Sequence, residues 1–160
     1  DMAVFSKAMA NGYPFSAVVG KKEVMKACER LWFAGTNCGN AVGMSAALAT
    51  IRESKRVQAH EHIWKLGTRI MDGMRALIER YEIEGKVGGL PAMPFFVFHN
   101  EIREEKKLQT GVYLAEMIER GVFMPVEHCF YISYAHTADD IDETLNAVEE
   151  SFRVIARSRR

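Results

Sequence analysis

Charge of neither sign is in excess: Lys and Arg total 21, Asp and Glu total 21, and the formal net charge of the 160 residues is zero. A chain with no global field has no electrostatic pull toward nucleic acid, an anionic membrane surface or a polyanionic partner, so any phosphate it binds must be held locally. Long apolar runs are missing as well. None approaches the roughly 18 to 20 residues that cross a bilayer, and the N-terminus lacks the basic, apolar and small-residue order of a signal peptide, so a cytoplasmic protein without a membrane span is expected. Cysteine is sparse and odd in number: Cys28, Cys38 and Cys129 match no zinc spacing and read as free thiols in a reducing compartment. What remains, 48% hydrophobic and 26% charged residues, is enough for one ordinary domain, or a small domain with part of another.

The chain opens abruptly. Asp1-Met2-Ala3-Val4-Phe5 already reads as a strand, with no linker or cap ahead of it. A second apolar run, Ser16 to Gly20, follows across Asn11-Gly12-Tyr13-Pro14, which is turn chemistry between two buried strands. A helix is expected over Lys22–Leu31, and a second from an Asn40 cap to about Arg52, with Ala41, Met44, Leu48 and Ile51 on one stripe. The longest periodic segment, about Arg56 to Tyr81, predicts one amphipathic helix facing inward through Ile63, Ile70, Met74 and Leu77. After Gly88-Gly89 come an expected strand at Met93–Phe98, a helix from Glu104 to Arg120, and short strands at 122–124 and 130–134. A last helix is opened by Thr137 and Asp139-Asp140 and buries Ile141, Leu145, Val148, Phe152 and Ile155. The pattern predicts an α/β chain: residues 1–52 as the end of a larger domain that needs something to pack on, and residues 53–160 as a compact small domain.

Two constellations carry chemistry. Lys7 stands directly after an apolar strand, where its ammonium is costly to desolvate unless paired, neutral or covalently used. Burial favours the neutral amine, and a neutral amine attacks an aldehyde; an exposed loop lysine is the plain alternative. Further on, Gly35-Thr36-Asn37-Cys38-Gly39-Asn40 precedes a helix, so a threonine hydroxyl, backbone N–H groups and the helix dipole could together hold a phosphate, or could simply cap the helix.

The first twenty residues, DMAVFSKAMANGYPFSAVVG, resemble the cofactor-lysine signature of the class III aminotransferases: an acidic residue, an apolar strand, a lysine, a glycine-proline turn and a small-residue strand ending in glycine. The segment Ala34 to Asn40 is similar to the one whose threonine binds the cofactor phosphate in that family, usually across the dimer interface. It departs from the commoner pattern at Ala41, where a proline often stands. Phe130 to Ile141, with the acidic Asp139-Asp140-Ile141-Asp142 opening the last helix, resembles the tail of the glutamate-1-semialdehyde 2,1-aminomutase branch. The resemblance implies the C-terminal part of a fold-type-I, pyridoxal-phosphate-dependent transferase: the end of the large domain plus an α/β small domain. It implies pyridoxal 5'-phosphate as cofactor, Lys7 as its Schiff-base lysine and proton shuttle, and Gly35 and Thr36 at the phosphate. The expected reaction is transamination or intramolecular amino transfer on a small amino acid or amino-aldehyde, by a homodimer in full-length form. The family's remaining cofactor contacts lie ahead of the lysine, so the missing half would have to be supplied, by the same or by a separate chain, and the isolated chain is expected to be inactive.

Other residues read more plainly. His60 and His62 lie two apart on a helix and point to different faces, so no metal site is expected. His128, Cys129 and His136 suggest a Cys-His nucleophile but lack a recognisable orienting carboxylate or oxyanion hole. Trp32 and Phe33, before the phosphate segment, would line a cleft or the core. The competing functions are a non-catalytic domain of the family fold that acts in assembly with a partner chain, and a purely structural helical module.

Overall fold

The computed structural model describes residues 1–32, 34–99 and 101–158. Phe33 and the tail arginines Arg159 and Arg160 lie outside them. The chain forms two compact units, Asp1–Gln58 and Ala59–Arg160.

In the first unit, β1 (Met2–Phe5) pairs antiparallel with β2 (Ala17–Gly20), in register from Met2 opposite Gly20 to Phe5 opposite Ala17. The reversal starts in a single 3-10 turn, Lys7–Ala10, and continues through two left-handed residues, Asn11 at φ 47° and Gly12 at φ 102°. The expected Lys22–Leu31 helix is one α-turn, α1 (Lys22–Met25), continued as a 3-10 segment over Lys26–Arg30. Helix α2 (Ala41–Arg56) starts at Asn40, whose Oδ1 accepts from the Val42 and Gly43 N–H groups at 3.0 and 3.1 Å.

Neither strand is buried within this unit: Val4 is 71% exposed and Phe5 50%. Among the described residues of the unit, Ala10, Gly43 and Ala47 alone are buried. Phe5, Met9, Phe15, Val19, Met44, Leu48 and Ile51 instead line an open, almost purely apolar concavity of ≈ 600 Å³. The expectation of buried strands is therefore corrected. Two four-residue strands and one packed helix cannot cover both faces of a sheet.

The single helix expected over Arg56–Tyr81 is also corrected. Helix α2 runs on to Arg56, Gln58 turns left-handed at φ 49°, and α3 (Ala59–Arg80) begins afresh. Neither glycine nor proline marks the break, which is why periodicity runs through it.

In the second unit, α3, α4 (Arg103–Glu119) and α5 (Ala138–Ser158) pack around the hairpin of β3 (Gly85–Leu90) and β4 (Met93–Phe98). Strand β3 lies where glycines read as a break. The close pairing requires them: a Cβ on Gly88 would come within 2.5 Å of the Phe95 ring, and Gly89 sits at φ 90°. The core centres on an aromatic knot. Phe96 lies 4.8 Å from Phe98, 5.4 Å from Tyr113 and 5.6 Å from Phe152, centroid to centroid, and all four are 0% exposed. Helix α5 buries Ile141, Val148, Phe152 and Ile155, and Leu145 packs partly buried against the same core.

The strands expected at 122–124 and 130–134 do not form. The segment runs irregularly beside β4, bonded from Glu127 N–H to Phe96 O at 2.9 Å, Phe130 N–H to Pro94 O at 2.9 Å and Ile132 N–H to Ala92 O at 3.2 Å. Pro125 has no N–H to give, and Glu127 is left-handed at φ 62°, so a regular ladder is interrupted twice.

Candidate cofactor site

Lys7 heads the 3-10 turn that β1 feeds. Its residue is exposed and its ammonium makes no hydrogen bond or ion pair to the described residues. Its backbone is unusual. The preceding Ser6 is fully extended, at φ −158° and ψ −166°, and Lys7 then turns left-handed at φ 53°, a region that L side chains seldom enter. The turn is fastened by Met9 N–H to Ser6 O at 3.2 Å, Asn11 N–H to Ala8 O at 3.2 Å and Tyr13 N–H to Ala10 O at 3.1 Å. The exposed lysine thus stands on a turn that backbone hydrogen bonds fasten.

Gly35 and Thr36 occupy a tight exposed turn ahead of α2, closed by Cys38 N–H to Gly35 O at 2.9 Å and by Asn40 N–H to Asn37 O at 3.2 Å. Two of the free N–H groups of α2 are already taken by the Asn40 carboxamide, so the helix terminus has less to offer an anion than the spacing suggested. The remaining donors in this segment are the Thr36 hydroxyl and the N–H groups of the turn itself. Lys7, Gly35 and Thr36 thus belong to one unit, each at the surface.

The other candidates lie in the second unit. Cys129 Sγ lies 3.3 Å from Tyr131 Oη and 3.8 Å from His128 Nδ1, and its hydrogen bond with the protonated phenol keeps the Tyr131 hydroxyl above its ordinary pKa. His136 Nδ1 accepts the Ser133 N–H at 2.9 Å, and His62 Nε2 lies 2.8 Å from the His136 carbonyl, which fixes the turn before α5 onto α3. Thr137 and Asp140 close that turn reciprocally: Asp140 Oδ2 accepts from the Thr137 N–H at 2.7 Å, and Thr137 Oγ1 accepts from the Asp140 N–H at 3.2 Å. These are packing and capping roles. Among the described residues no group of three or more His, Cys, Asp or Glu could hold a metal ion, and no helix is long and apolar enough to cross a membrane.

The model of the class-III aminotransferases matches residues 1–152. The chain belongs to that family. A 3-aminobutyryl-CoA aminotransferase of Cloacimonas acidaminovorans is 32% identical over 98% of this chain, and a glutamate-1-semialdehyde 2,1-aminomutase of Alkaliphilus oremlandii is 33% identical over 94%. The match spans 38% of the length of each of these relatives. Among solved structures, the pyridoxal-phosphate internal aldimine form of the FumI protein of Sphingopyxis sp. MTA144 superposes with a TM-score of 0.86 at 29% identity, over 99% of this chain and 38% of that one. A transaminase with pyridoxal phosphate bound gives 0.85 at 23% identity over 99% and 39%, and so attests the fold. The architecture is accordingly the α/β fold of part of a fold-type-I transferase, and the family depends on pyridoxal phosphate.

The sequence predicts a small-residue helix after Asn40 with Ala41, Met44, Leu48 and Ile51 on one stripe, but the residues that α2 buries are Gly43 and Ala47. The signal was there in Gly43 and Ala47, four apart on α2 and so on one face of it.

Proposed function

We propose that the chain is the lysine-bearing part of a class-III enzyme that moves amino groups, as a transaminase or an aminomutase, on a small amino acid or amino-aldehyde. One observation carries the reading: within the family-matched segment, an exposed lysine amine, without a partner among the described residues, stands at the end of a strand on a left-handed, hydrogen-bonded turn. Such strain persists where surrounding structure holds it, and it collects at functional sites.

Lys7 is the residue that would hold pyridoxal phosphate through its amine, and Thr36 with the Gly35 turn would hold the phosphate, since Asn40 occupies two of the helix N–H groups. The cofactor, when bound, supplies the sink for the electrons of the substrate α-carbon. Lys7 would supply the base, its free amine taking the proton from that α-carbon. Water is excluded by whatever covers the apolar faces of the first unit, which this chain leaves open at Val4, Phe5, Val19 and Leu48. That cover comes from further sequence of the same protein or from a separate chain, in a homodimer as the family resemblance implies.

The same open apolar concavity favours a second reading, a family-fold domain without catalysis that assembles on a partner chain. Absorption spectra with pyridoxal phosphate, before and after borohydride, separate the two. A reducible band present in the wild type and absent in Lys7→Ala supports the enzyme reading. A band that persists unchanged in Lys7→Ala, or partner binding with no band in the complex, sinks it.

A further inference from the structure

We propose that Ala10, with Gly43 and Ala47 beneath it, is a seat that positions Lys7: the seat imposes the left-handed backbone from which the amine projects. This rests on the reading of Lys7 as the cofactor lysine. The first unit buries almost nothing, and the three described residues that it does bury, Ala10 at 0% exposure, Ala47 at 3% and Gly43, are all small. Two of them lie four apart on α2, on one face, and that helix packs directly on the Lys7–Ala10 turn. The fit is close. A Cβ added at Gly43 would sit 3.2 Å from the Pro14 carbonyl and 3.3 Å from Phe15 Cβ, on the stretch that leads back from the turn into β2. Farther along that stretch, a weak contact from Ser6 Oγ to Phe15 O at 3.5 Å spans the mouth of the loop.

Locally, the Met9 N–H to Ser6 O bond at 3.2 Å spans Lys7, but the residue itself resists this conformation. A lysine has a Cβ that clashes in the left-handed region and no short polar side chain to compensate, in contrast to Asn11 and Gly12, which follow it. A strained residue relaxes unless its surroundings over-determine it. Among the described residues of this unit, α2 is the helix that packs against the turn. The seat, and not the Lys7 side chain, therefore decides the direction of the amine, and a wedge in the seat frees Lys7 to relax.

Two arms on the 160-residue chain test this. In the first, pyridoxal phosphate is reduced onto the protein with borohydride, and the modified lysines are mapped by peptide mass spectrometry, with Lys21 and Lys22 as internal standards. Wild type favours Lys7; Ala47→Leu, and less so the smaller wedge Ala47→Val, lower that preference by about fivefold or more, the scale of one strained backbone residue. Ala47→Gly retains it. In the second arm no cofactor is present: Lys7→Gly removes the Cβ clash and slows proteolysis of the first unit by about fivefold in the wild-type background, and has no such effect beside Ala47→Val. Absence of any Lys7 preference in the wild type counts against the cofactor-lysine reading alone, because the second arm still judges the seat. An equal gain from Lys7→Gly in both backgrounds, or an undiminished Lys7 preference in Ala47→Val and Ala47→Leu, overturns the proposal.

Discussion

Replacing Tyr113 by phenylalanine should stabilise the second unit. Tyr113 is 0% exposed, and its hydroxyl has no hydrogen-bond partner among the described residues. Burying an unpaired hydroxyl costs about 1–3 kcal/mol. The ring keeps its neighbours in Tyr113→Phe, with Phe96 at 5.4 Å and Phe152 at 6.0 Å, and the void left by one oxygen costs only a few tenths of a kcal/mol at about 24 cal/mol per Å³. The expected net gain is about 1 kcal/mol. Urea unfolding at pH 7 in a Trp32→Phe background reads it, since Trp64 then alone reports on this unit. A pH series gives a second readout. Burial raises the Tyr113 hydroxyl well above its ordinary pKa. Its folded value thus exceeds its unfolded one, and its contribution is fully present below about pH 10, then lost as pH climbs from there toward the raised value. Tyr113→Phe should blunt that alkaline loss. A variant less stable than wild type by 1 kcal/mol or more at pH 7 would refute the reasoning, because it would mean that the hydroxyl is bonded, for instance to a buried water.

Three further outcomes are expected. Gly67→Ala should cost about 2–4 kcal/mol in the same urea assay, because its Cβ would stand 1.8 Å from the Pro91 carbonyl and force α3 off the β3–β4 turn; a cost under 0.5 kcal/mol would show that the hairpin tip is free to move. Phe152→Ala, at the centre of the aromatic knot, should cost about 3–5 kcal/mol, with a cavity detectable as altered near-ultraviolet dichroism. At the start of α5, the Thr137 backbone N–H lowers the Asp140 pKa below its ordinary value, so its stabilising effect is present above the ordinary carboxylate range and is lost as pH falls through the lowered value. Asp140→Asn should flatten that acid limb, and Thr137→Ala should cost about 1 kcal/mol at neutral pH, both read by thermal unfolding.

Some of this was legible before any coordinates. The stripe Ile141, Leu145, Val148, Phe152 and Ile155 repeats at helical spacing, Thr137 announces its start, and the packed helix follows that pattern. The Asn40 cap was equally plain, because a carboxamide before a small-residue run has few better uses than the free N–H groups of a helix. Strand β3 was not legible, since its glycines make room for Phe95 on the facing strand, a neighbour that no local window contains. The left-handed Gln58, which cuts one long periodic segment into α2 and α3, has no composition signal at all.

At the candidate site the division falls in the same place. Lys7, Gly35 and Thr36 were marked as candidates by the resemblance of their segments to the family's, where spacing alone left an exposed lysine and a helix cap equally open. Conformation around them came only with the tertiary structure: Lys7 at φ 53° and α2 resting on its turn. Side-chain identity is written residue by residue. Backbone strain and the fate of a donor depend on what packs against them from elsewhere in the chain, and that is decided by folding.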